Sequence, residues 1–141
     1  MVPNRRALNA YQKTSVDAGV LYADPHTLIT MLFGGFQEKL SLAKGAMQRG
    51  DFAVKGEAIG KAMDIIYYLQ SCLDIEKGGS IAENLNDLYG YILNRLLVAS
   101  VQNRVELLDE AGDLISQIQE AWIAIGLNEG QAVSDKVSSI S

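Results

Sequence analysis

Prolines stand only at positions 3 and 25 of this 141-residue chain, so every residue after Pro25 is free of the strongest helix breaker. Across that stretch, apolar residues recur at steps of three and four, the spacing that puts side chains on one face of an α-helix. The first such segment opens at Asp24-Pro25, an N-cap followed by proline at the first helical position, where its missing N–H costs nothing. Its stripe is Ile29, Leu32, Phe33, Phe36, Leu40, Ala43 and Met47, and Gly50 follows as a left-handed stop.

Asp51 caps a second segment with Phe52, Ile59, Ala62, Ile66, Leu69 and Leu73 inward. The Lys77-Gly78-Gly79-Ser80 run then reads as a corner. Lys77 suits the negative end of the second helix, a glycine takes positive φ, and Ser80 with Glu83 forms a capping box. The run is not a phosphate cradle, which needs a preceding strand and a lysine after the last glycine. The third stripe is Ile81, Leu85, Leu88, Ile92, Leu96 and Ala99. Asn103 and Glu106 predict the cap of the fourth helix, striped by Leu108, Ala111, Leu114, Ile115, Ile118, Trp122 and Ile125 and stopped at Gly126.

Helices over about 25–49, 51–77, 81–102 and 104–125, joined by very short connections, predict an all-α antiparallel up-down four-helix bundle over residues 24–126. Residues 1–23 are expected to be partly helical and to dock loosely, and residues 127–141 to form a mobile polar tail. Hydrophobic content of 48% supports one folded domain.

A net charge of −5 argues against a general nucleic-acid or anionic-membrane surface, since both need clustered Lys and Arg. With no signal-like or bilayer-length apolar run, a cytoplasmic protein without stable membrane insertion is expected. One cysteine, Cys72, excludes an internal disulfide, and with one histidine, His26, it leaves too few ligands for an ordinary zinc site. A di-iron bundle would need two Glu-x-x-His pairs. The carboxylates are spread over helix starts and polar faces, so no metal, cofactor or catalytic activity is expected.

The informative excess is apolar. Leu28 and Met31 on the first helix, Met63 and Tyr67 on the second, and Tyr89, Leu93, Leu97 and Val101 on the third stand beside the core stripes. Two readings of this excess stand open: wide stripes partly covered by the N-terminal segment, or a groove for an amphipathic helix of another chain.

The stretches "AYQKTSV", "ADPHTLITMLFGGFQEKLSLA", "LDIEKGGSIAENLNDLYGYILNRL" and "EAWIAI" resemble, in order, the flagellar secretion chaperone FliS family over about residues 10–125. The match is most specific at Asp74, Glu76, Lys77, Gly78, Gly79, Ile81, Ala82, Asn84 and Leu85. The resemblance implies a helical, non-enzymatic chaperone that binds the C-terminal segment of flagellin in the cytoplasm, prevents premature polymerisation and delivers it to the flagellar type III export gate. The family's Ala-Tyr contact with the export-gate protein falls here on Ala10 and Tyr11, with Leu8 one helical step earlier. The chain departs from the family at Gly90 and Gly34, where carboxylates are usual. The competing expectation is a helical adaptor or homodimerisation module; the oligomeric state is left open.

Overall fold

A computed structural model of the protein describes residues 24–140, and for residue 75 and residues 125–140 it describes the course of the backbone. Four helices follow in order: α1 (Pro25–Arg49), α2 (Phe52–Ser71), α3 (Ile75–Gln102) and α4 (Val105–Ile140). The expected segment 1–23, with Leu8, Ala10 and Tyr11, lies outside the described residues.

Local chemistry sets most of the ends. The Asp24 carboxylate accepts the Thr27 N–H at 2.7 Å, and Gly50 stops α1 at φ 74°. Asp51 accepts from the Val54 N–H at 3.2 Å, so two residues reverse the chain between α1 and α2.

The second reversal differs from the sequence expectation. α2 ends at Ser71, six residues before Lys77, and the turn is made by residues 72–74. Asp74 lies in extended backbone and accepts the Lys77 N–H at 3.1 Å, so it caps α3 and places Lys77 in a first turn rather than a last one. Gly79 holds φ 56° as expected, but it kinks α3 one turn after its start instead of ending α2. At Gly78 a Cβ would come within 2.7 Å of the Ala82 Cβ, so the glycine pair is required by the kink. Asn103, expected to open the fourth helix, instead closes α3 in the left-handed region at φ 54°. α4 continues through Gly126 to Ile140, in place of the expected stop and tail. Gly126 and Gly130 each cost a helix only about 1 kcal/mol, no proline follows, and Gln131, Ala132 and Lys136 favour continuation.

The helices form a ring in which each packs on its sequence neighbours and α4 closes against α1. Cross-links of falling and rising number show antiparallel pairing: His26 meets Trp122 and Lys44 meets Asp109 across α1/α4, while Lys55 meets Ser100 and Gln70 meets Asn86 across α2/α3. Leu32, Phe33, Phe36, Ile66, Ile92, Leu96, Leu108 and Ile115 are fully buried at the centre, each removing about 1.5–3 kcal/mol worth of apolar surface from water. Phe52 and Ile81, assigned to stripes by their spacing, are 64% and 73% exposed. Both stand at the start of a helical run, Phe52 directly after the Asp51 cap and Ile81 directly after the Gly79 kink and Ser80.

Candidate functional site

The seam between α2 and α3 is tied at its two ends and open between them. At one end the Lys55 ammonium donates to the Ser100 carbonyl at 3.0 Å and to Asn103 Oδ1 at 3.3 Å. At the other the Gln70 amide donates to the Asn86 carbonyl and Oδ1, both at 3.3 Å. These bonds identify the edges that face each other, and steps of seven from Gln70 and Asn86 bring Met63 and Leu93 to the same edges. Both are half-buried against the core.

Outward from that line lie Tyr67, Leu97 and Val101, exposed by 41%, 52% and 77%. Gly56 and Gly60 on α2 and Gly90 on α3 continue the same strip, and a Cβ built on any of them would meet nothing within 4 Å. Among the described residues this strip, hereafter the trough, combines half-buried apolar residues along its line, glycines beside them and exposed apolar residues outward. Of the groove residues expected from the sequence, Met63, Tyr67, Leu93, Leu97 and Val101 stand along this seam. Sequence reasoning missed Gly56, Gly60 and Lys55; the available signal was a pair of glycines four apart inside an uninterrupted helical pattern.

Three other expected groove residues lie elsewhere. Tyr89 is 3% exposed and belongs to the core, and burial pushes its phenol up to about 12. The inward face of α3 runs through Ala82, Tyr89, Ile92, Leu96 and Ala99, rotated from the predicted stripe in its first half. Leu28 and Met31 are on α1, which is diagonal to α3 in the ring. Leu28 lines a separate cleft of about 390 Å³ with Pro25, His26, Ile29, Tyr68, Cys72 and Trp122.

The chemistry of that cleft is mechanical. The His26 ring stacks on Trp122 at 4.6 Å and 8°, and each residue donates to the other's backbone carbonyl, His26 Nε2–H at 2.7 Å and Trp122 Nε1–H at 3.0 Å. Because a carbonyl only accepts, Nε2 carries the proton, which commits the imidazole to fastening α1 to α4. Burial raises the Cys72 thiol, the opposite of what an activated nucleophile needs. Backbone and hydroxyl hydrogen bonds from Thr27 hold Asp24 low, and Arg104 holds Glu106 low. Among the described residues no three His, Cys, Asp or Glu side chains are grouped to hold a metal ion, and no helix is long and apolar enough to cross a membrane.

An antiparallel four-helix bundle with exposed apolar residues along one seam, and with no grouping of metal ligands among the described residues, belongs to the class of small helical-bundle proteins. The family model described as flagellar protein FliS matches residues 7–129, and the chain belongs to that family. It is 45% identical over 118 residues to the flagellar secretion chaperone FliS of Vibrio cholerae, covering 84% of this chain and 87% of that protein. It is 45% identical over 116 residues to the protein of the same name from Salmonella typhimurium, covering 82% and 86%. With the flagellar secretion chaperone FliSB of Pseudomonas aeruginosa it shares 42% over 120 residues, covering 85% and 95%. The role these relatives are named for is chaperoning, not catalysis.

Proposed function

We propose that this protein is a flagellar secretion chaperone that lays the C-terminal amphipathic segment of flagellin along the α2/α3 trough, prevents its premature polymerisation and delivers it in the bacterial cytosol to the type III export apparatus. The observation that carries the reading is the trough itself: exposed Tyr67, Leu97 and Val101 beside half-buried Met63 and Leu93, flanked by glycines with open space above them. An amphipathic helix buries its apolar face in such a trough, and missing side chains let its backbone approach closely. An unpolymerised flagellin end must be ordered on binding, and a long contact offsets that cost while allowing stepwise release. Leu8, Ala10 and Tyr11 are the proposed contact with the export-gate protein.

Titration with a flagellin C-terminal peptide tests the assignment. Leu93→Glu and Leu97→Glu each place a carboxylate on the trough and are expected to weaken binding severalfold, with Leu97→Glu retaining the fold because its side chain is half exposed. Unaltered binding by both variants would contradict the trough. Concentration-dependent mass without peptide affinity would replace the export role with self-association.

A further inference from the structure

Lys55 is the sole charged side chain buried among the described residues, at 8% exposure. An ammonium is kept out of water only where its donors find partners, and those of Lys55 converge on the end of α3: the Ser100 carbonyl at 3.0 Å and Asn103 Oδ1 at 3.3 Å. The Ser100 carbonyl is one of the last-turn acceptors that a helix cannot satisfy internally, and a cation there also suits the helix dipole. Asn103 is the left-handed cap of the same helix, and its own N–H and that of Arg104 close on the Ala99 carbonyl. The Phe52 ring lies under the ammonium at 4.8 Å and shields it from the side.

The turn held in this way carries Val101, the most exposed apolar residue of the trough, and follows directly on the turn that carries Leu97. Ala99 is buried in the core, but none of residues 100–103 has a buried side chain, and a last turn anchored by one small residue frays when its cap is lost. We infer that Lys55 is a positioning residue for client binding: it locks the last turn of α3 and so presents Val101, next to Leu97, in a fixed place. This rests on the trough reading given above. Lysine suits the task because its stem packs like an aliphatic side chain while three donors reach the carbonyl, the cap and the ring together.

The test is Lys55→Met, which keeps the stem's volume and removes the donors, measured alongside Lys55→Arg. Replacement of a buried ion by an apolar residue is often neutral for stability, so the melting temperature is expected to stay near wild type. Affinity for the flagellin C-terminal peptide should fall about tenfold, the cost of re-ordering roughly one residue's backbone on binding. Hydrogen exchange at the Asn103 and Arg104 amides should quicken in the same variant, and Lys55→Arg should restore both readouts in large part. A folded Lys55→Met protein that binds like wild type overturns the inference. If Lys55→Met does not fold, Asn103→Gly decides: it keeps the left-handed cap and removes the side-chain acceptor, and unchanged affinity there also overturns it. A wild-type protein that does not bind the peptide overturns the trough reading instead, and the clamp is then judged by the exchange rates, where unchanged rates at Asn103 and Arg104 overturn it.

Discussion

The α1/α4 seam and the α2/α3 seam are built from the same kinds of residue and arrive at opposite surfaces. Along α1/α4 the polar links run the whole length: the His26–Trp122 clasp, Gln37 to the Gly112 carbonyl at 2.9 Å, and Lys44 to Asp109 at 2.9 Å. Gly112 on its contact line is filled, since a Cβ there would stand 3.1 Å from Gln37 Oε1 and 3.3 Å from Leu40 Cδ1, while a Cβ on Gly34, farther out on α1, would meet nothing within 4 Å. Along α2/α3 the links stand at the ends, and the glycines open outward. The first seam closes the bundle. Among the described residues nothing packs on the second seam's glycines, each of which weakens its helix by about 1 kcal/mol relative to alanine.

The contrast breaks most visibly at Trp122. Trp122→Ala removes the stack and the indole bond to His26, and is expected to cost about 3 kcal/mol in denaturant unfolding while leaving peptide affinity unchanged in the folded fraction. A parallel loss of affinity would mean that the two seams are not separate.

Tyr89, beneath the open seam, is next. Its phenol is raised from 10.0 to about 12, so between those values the unfolded chain loses a proton that the folded chain keeps. The stabilisation is complete below pH 10 and disappears as pH rises toward 12, amounting to about 2–3 kcal/mol. Tyr89→Phe should flatten that alkaline decline in a pH series of unfolding free energies.

Alanine at the glycines sharpens the comparison by sign. Gly56→Ala and Gly60→Ala should each stabilise by roughly 0.5–1 kcal/mol, whereas Gly112→Ala should lower the melting temperature because buried Leu40 has no room to yield. The smallest effect is expected at the exposed Lys44–Asp109 pair. Asp109→Asn there should cost no more than about 0.5 kcal/mol and less in high salt, as calorimetry at two ionic strengths would register.

Caps and core stripes were legible in the sequence because they are local. Asp24-Pro25, Gly50 and Asp51 act within a few residues of themselves, and Phe33, Phe36, Ile66, Leu96 and Ile115 are buried as their spacing predicts. Competition between neighbouring signals was not legible. Asp74 and Ser80 are both plausible caps, and the carboxylate at Asp74 won, moving the reversal upstream of the glycines. Phe52 and Ile81 fit their stripes by period but lie where a helical run starts, and a period carries no information on where the facing layer stops. Of the site, the α3 stripe Leu93-Leu97-Val101 was readable. That Leu28 and Met31 belong to the other flank of α2 depends on the ring order of the helices, a tertiary fact with no local signature.

The most direct test of the central claim is titration of a Gly60→Leu variant with the flagellin C-terminal peptide, checked by its melting curve. Leucine is a good helix former and a Cβ at that exposed position meets nothing within 4 Å, so the fold should be at least as stable as wild type. With the trough filled, affinity should drop by about tenfold or more, equivalent to at least ~1.4 kcal/mol. A folded variant that binds the peptide as tightly as wild type would contradict the assignment of client binding to the α2/α3 trough.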